Sequence, residues 1–112
     1  MARIRSLKPS FWSDPSVADL TRDERLLLIG LISSADDEGR FLASPSAISG
    51  YVFPHDNLPP RTVRAWRDRL ACSGVVHIYT VGPREYGVFP KWRKHQRISK
   101  PQASIIPAPE EG

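Results

Sequence analysis

Pro59-Pro60 at one end and Gly74 at the other bracket a stretch of chain whose apolar and basic residues separate cleanly on a helix. Wound at about 100° per residue, Val63, Trp66 and Leu70 fall on one stripe. Arg61, Arg64, Ala65 and Asp68 fall on the opposite side, with Thr62, Arg67 and Arg69 at the flanks. Paired prolines suit the first helical turn, where backbone N–H groups have no intrahelical partner, and glycine suits the left-handed position just past the end. The segment therefore predicts a short helix that packs by one face and presents arginines on the other. Guanidinium forks bond both phosphates and guanine edges, so this outer face has the chemistry of DNA contact.

Local signals extend the reading outward from this helix. Ser13-Asp14-Pro15 is a cap followed by proline at the first helical position, and predicts one short turn through Val17 and Leu20. Thr21 and Glu24 form a capping box ahead of Arg25-Leu26-Leu27-Leu28-Ile29-Gly30-Leu31-Ile32, a run apolar nearly all round. It predicts the central buried helix, with Gly30 admitting a close neighbour. After the acidic loop Asp36-Asp37-Glu38-Gly39, residues Arg40-Phe41-Leu42 allow only a brief strand, and Ser44-Pro45 starts a short helix through Ile48 towards Val52. Beyond Gly74, Val75 to Thr80 and Tyr86 to Phe89 predict two strands, with Val81 to Glu85 as turn and Arg84 near its tip. The order helix, short strand, helix, helix, strand, turn, strand describes an α+β fold: a winged helix-turn-helix, whose hairpin wing pairs with the short strand before the helix pair.

A chain of 112 residues with 40% hydrophobic content builds one modest core. The expected organisation is a single domain over 1–100, opening with a basic arm held down by Ile4, Leu7, Phe11 and Trp12, and a proline-rich flexible tail over 101–112 that does not pack. The formal charge of +4 favours polyanionic partners. No apolar run approaches the roughly 20 residues that cross a bilayer, and no signal-peptide core follows Met1. The lone Cys72 excludes an internal disulfide and is expected as a small reduced residue near the core. A cytoplasmic protein without membrane association is the expectation.

Three motifs, Ala2-Arg3-Ile4-Arg5-Ser6-Leu7-Lys8-Pro9-Ser10-Phe11-Trp12, Ala35-Asp36-Asp37-Glu38-Gly39-Arg40 and Pro90-Lys91-Trp92-Arg93-Lys94-His95-Gln96-Arg97-Ile98-Ser99-Lys100-Pro101, occur in this order. Together they resemble the N-terminal winged-helix domain of bacteriophage and prophage replication-initiation proteins, the replisome organisers related to the DnaD-type primosomal proteins. The resemblance covers about residues 2–107. It implies binding of origin or replication-fork DNA, work in a bacterial host cytoplasm and recruitment of host helicase-loading proteins. Initiators of this kind often continue into a second helical domain, which is not found in these residues.

The site expected from the residues is an interface with double-stranded DNA. Arg61 and Arg64 reach base edges, with Ala65 on the same face; Thr62 and Arg69 hold phosphates; Asp68 orients an arginine or accepts from a cytosine amine. Arg84 meets backbone or minor groove from the hairpin tip. Lys91, Arg93, Lys94, Arg97 and Lys100, in a segment without acids, lie along flanking phosphates, and Trp92 covers the domain. Arg3, Arg5 and Lys8 form a further basic arm. In the bland alternative the arginine face is merely solvated, steadied by a pair such as Arg64 with Asp68; Arg61, Arg67 and Arg69 then lack nearby acids.

His55, His77 and His95 have no metal-ligand spacing with each other or with Cys72. The acidic loop lacks a calcium-loop pattern, so Asp36 and Asp37 are expected to cap backbone N–H groups or pair with Arg40. Neither a phosphate-binding glycine loop nor a nucleophile and base pair is found, so no catalytic residue, metal or cofactor is expected. Two other functions fit the same residues: a phage transcriptional regulator (repressor) using the same contacts, and a protein-protein assembly module forming a homodimer or higher oligomer through Tyr51, Phe53 or the Ile4 to Trp12 arm.

Overall fold

Proline in the first helical turn, a capping side chain before it, or both set where four of the α-helices begin. The computed structural model describes residues 4–96 and 102–109. A 3-10 helix, Pro9–Ser13, follows the arm. Asp14 then accepts a hydrogen bond from the Ser16 N–H and starts α1, Pro15–Ala18. Thr21 and Glu24 close the expected capping box in both directions ahead of α2, Arg22–Ser34. Strand β1 is Arg40–Leu42, and the Ser44 hydroxyl accepts from the Ala47 N–H to open α3, Pro45–Tyr51. Residues 52–59 connect it to α4, Pro60–Cys72, with Pro59 as its N-cap and Gly74 at φ 85° just beyond its end.

Strands β2, His77–Val81, and β3, Arg84–Val88, form a hairpin closed by Gly82-Pro83 alone. Gly82 sits at φ 60° and proline is held to negative φ, the residue pattern of a II′ turn. The expected turn over 81–85 is thus too long: Val81, Arg84 and Glu85 belong to the strands. Strand β1 pairs antiparallel with β3, so the order is β1-β3-β2. Helix α5, Trp92–His95, follows the sheet. Among the described residues the fold is α+β, with five α-helices and one three-stranded antiparallel sheet.

Leu27 and Leu31 of α2, Phe41 of β1, Ile48 of α3, and Val63 and Leu70 of α4 are fully buried and fill the space between the helices and the sheet. Two glycines make room there. A Cβ on Gly30 would lie 2.5 Å from a Val52 methyl carbon, and one on Gly87, in the central strand, would enter the Phe41 ring. Helix α2 is not buried all round: Leu26 is 53% exposed, because neighbours cover only part of its circumference.

Two boundary expectations are corrected by long-range polar contacts. The arm is held by polar groups, since Ile4 is fully exposed and Trp12 is 62% exposed, with only Phe11 packing on the core. Ser6 N–H donates to Gln96 Oε1 at 2.9 Å, Gln96 Nε2 donates to Ser6 O at 2.8 Å, and Arg5 enters a buried ion pair with Asp37. The tail packs over 102–109. Gln102 N–H donates to Asp37 Oδ2 at 2.9 Å, Arg40 to Ile106 O at 2.8 Å and the Tyr79 hydroxyl to Pro107 O at 2.7 Å, and Ala108 is buried. These carbonyls find donors on residues far earlier in the chain, which no local reading of a proline-rich segment reveals. Cys72 is exposed, on the last turn of α4, away from the core position expected for it.

Candidate nucleic-acid interface

Helix α4 turns Val63 and Leu70 fully into the core, and Trp66 packs half-buried against Phe53 with ring centroids 5.6 Å apart. That fixes the opposite face. Arg61, Arg64, Ala65 and Asp68 are exposed, while Thr62 and Arg69 are half-buried at its margins. Arg84, exposed, opens β3 directly after the two-residue turn. Glu85 follows it and lies 3.7 Å from Arg64 Nη1, so the hairpin tip stands beside the N-terminal half of α4. Arg61, Arg64 and Arg84 therefore belong to one end of the molecule.

Arg67 departs from its expected place at the flank. It is only 4% exposed. Its Nη1 donates to Ala43 O at 2.8 Å and to Glu85 Oε2 at 2.9 Å, and its Nη2 lies 3.0 Å from Asp68 Oδ1. A buried guanidinium is tolerated when its donors are met, and here Ala43, Glu85 and Asp68 supply the acceptors. The expectation that Arg67 lacks a nearby acid is corrected, and so is the pairing of Arg64 with Asp68. Asp68 is engaged by Arg67, and the acid beside Arg64 is Glu85. Reading Glu85 as turn concealed both contacts; strand alternation, with the side chain two residues from Gly87 on the same face, was the signal available.

The basic segment after β3 forms a separate group. Trp92 is buried, donates from Nε1 to Asp37 O at 3.1 Å and has the Arg5 guanidinium 5.1 Å from its ring centroid. This anchors α5 and leaves Lys91, Arg93 and Lys94 exposed. Arg93 pairs with Glu38 at 3.1 Å at the surface. These residues follow the end of β3, whereas Arg84 stands at its start, about 13 Å of strand away. Arg97 and Lys100 lie outside the described residues, as does Arg3 of the arm. Arg5 is lost to any outside partner by its pairing with Asp37 at 2.9 Å; Lys8 remains exposed, its Nζ donating to Lys94 O at 3.0 Å.

The acidic loop acts within the fold. Asp36 Oδ1 accepts from the N–H groups of Glu38 and Arg40, both at 2.9 Å, which holds the turn into β1, and Ser104 Oγ hydrogen-bonds to the other oxygen. Gly39 takes φ 79° there, close against Trp92. Of the residues expected at a subunit interface, Phe53 is buried in the core. The Tyr51 hydroxyl donates to Leu42 O at 2.5 Å, and burial pushes its ionisation well above the ordinary range. No described helix is long and apolar enough to cross a membrane.

In comparison with known proteins, no family model, no characterised protein and no solved structure matches the chain.

Proposed function

We propose that the protein is a winged-helix protein that binds double-stranded DNA, acting in phage or prophage replication initiation. Helix α3 and helix α4 serve as the helix-turn-helix and the β2–β3 hairpin as a short wing. The observation that carries the reading is the exposed pair Arg61 and Arg64 on α4 beside the hairpin, with Arg67 tied beneath them and the exposed Arg84 at the adjoining hairpin tip. Arg61 and Arg64 enter the major groove from the first turns of α4, and Arg84 and Arg69 hold phosphates. Glu85 hydrogen-bonds Arg67 at 2.9 Å and stands 3.7 Å from Arg64, a loose pair that leaves the Arg64 guanidinium available to a partner. Replication, in place of transcriptional repression, is favoured by the three-motif resemblance alone.

The test is a titration on duplex DNA at two salt concentrations. Two phosphate-holding arginines, Arg69 and Arg84, give a log–log salt slope of about −2. Sequences selected from a random duplex pool should be bound tightly by the wild type, and Arg61→Ala with Arg64→Ala should erase that preference more than Lys94→Ala does. Absence of duplex binding at low salt ends the proposal.

A second reading, self-assembly, rests on the exposed apolar residues of the arm: Ile4, Leu7 and the 62% exposed Trp12. Light scattering separates the two. An oligomer that resists salt, ignores DNA and dissociates on Trp12→Ala favours assembly.

A further inference from the structure

Away from α4, the arm, α2 and α5 enclose a half-open cavity of about 250 Å³. Its walls are apolar and partly aromatic, from Phe11, Leu28, Ile32, Phe89 and Trp92, the last two with ring centroids 5.4 Å apart. Its rim is cationic. Lys8, Lys91 and Lys94 border it, with His95 among them and Asp14 as the acid on the same rim.

Two observations place these residues around His95. Lys8 Nζ donates to Lys94 O at 3.0 Å, which draws the arm to α5. The His95 imidazole is held below its ordinary ionisation range, first by desolvation and then by Lys8, Lys94 and Lys91, against an opposing pull from Asp14. Lys8, Lys91 and Lys94 thus share one rim, where an anion would be attracted by all three. An apolar cavity of roughly 150 Å³ accommodates a benzene ring, so this one has room for a nucleobase. A base paired and stacked in a duplex has neither face nor edge free to enter.

We infer that this cavity binds single-stranded DNA, seating one unstacked base against the half-buried rings of Phe11 and Phe89 while Lys8, Lys91 and Lys94 bond the adjoining phosphates. The base meets the apolar wall by its flat surface, Gln96 is spent on Ser6, and the Ser10 and Ser16 hydroxyls on the lining can donate or accept, so any base is accepted. The site goes beyond the duplex reading of α4 and uses none of its arginines, so either can fail alone.

The experiment measures fluorescence anisotropy of the full chain with a labelled oligothymidylate of about ten nucleotides, a length within the usual single-strand site size. A matching oligonucleotide in which abasic residues replace the nucleosides keeps the phosphates and removes the bases. The expected result is that the abasic strand binds roughly tenfold more weakly, as loss of base stacking requires. Lys91→Ala with Lys94→Ala, both exposed and outside the core, should weaken oligothymidylate by a similar factor, while Arg61→Ala with Arg64→Ala leaves it within about twofold. Equal affinity for the two strands reduces the site to a charged surface and overturns the inference. So does unchanged binding by the Lys91, Lys94 variant. Oligothymidylate binding without duplex binding overturns the reading of α4 and leaves this one standing. Binding of thymidine monophosphate as tight as the oligonucleotide would assign the cavity to a free nucleotide and overturn the strand.

Discussion

Arg67 on α4 and Glu85 on the central strand meet at 2.9 Å, and the same guanidinium group reaches Ala43 O just past β1. One buried cation thus joins the helix that carries the exposed arginines to the central strand and to the residue that follows β1. Removing it leaves Glu85 and the Ala43 carbonyl short of a donor at a site with little water. Arg67→Ala should cost about 2–3 kcal/mol, below the range for a fully buried pair because Glu85 keeps 27% of its side chain exposed. Urea unfolding at constant m-value measures this, and Arg67→Lys should recover only part, since an ammonium cannot span the same acceptors. A loss below about 0.5 kcal/mol would show that the network is not what fixes α4.

Gly87 and Phe41 face each other across the β1–β3 pair, with no room for a Cβ between them. Gly87→Ala should destabilise by about 1–3 kcal/mol through overpacking, since the contact is a ring in the core and not a flexible chain end. Combining it with Phe41→Leu should give less than the sum of the two costs. Strict additivity in that double-mutant cycle would refute the steric account.

Asp37 joins both ends of the described chain: its carboxylate pairs with Arg5 at 2.9 Å and accepts from the Gln102 N–H at 2.9 Å. Asp37→Ala leaves the Arg5 guanidinium buried beside Trp92 without this charge, at a cost of about 3 kcal/mol. Limited proteolysis should then cut within 102–109 in conditions where the wild type resists. Equal protection of that segment in both proteins would mean that the hydrogen bonds from Arg40 and Tyr79 hold it unaided.

His95 gives stability a pH dependence. Desolvation, Lys8, Lys94 and Lys91 lower its folded-state value, and Asp14 only partly offsets them. The unfolded chain, with an ordinary value near 6.5, then binds the proton more readily. Stability is full above that value and declines as the pH falls below it towards the lowered folded-state one. Comparison of thermal midpoints above and below this window should show a smaller decline in His95→Gln than in the wild type. An identical decline would assign the effect elsewhere.

Helix starts and stops were legible because their causes lie within a few residues. Thr21 with Glu24, Ser44 before Pro45 and Pro59-Pro60 with Gly74 all mark the observed ends, and the apolar stripe Val63, Trp66, Leu70 faces inward. The pairing of the short strand with the hairpin followed from the order of elements. The turn was misjudged at Glu85, because a charged residue beside Gly82-Pro83 reads as loop when its partner is unknown. Of the expected DNA-contacting residues, those on α4 and the hairpin tip gather at one end of β3 and Lys91, Arg93 and Lys94 at the other, a separation that sequence distance alone does not give.

The sequence by itself determined the helices, their caps, the hairpin's place and the face of α4 that turns inward, all through interactions spanning one turn or one strand repeat. Only the tertiary structure decided which cations are free. Arg67 and Arg5 resemble Arg61 and Arg3 in any short window, yet Arg67 finds Ala43 and Glu85, and Arg5 finds Ala35 and Asp37, all far away along the chain. A guanidinium leaves water only where several acceptors converge to replace it, and that convergence is a property of the assembled fold.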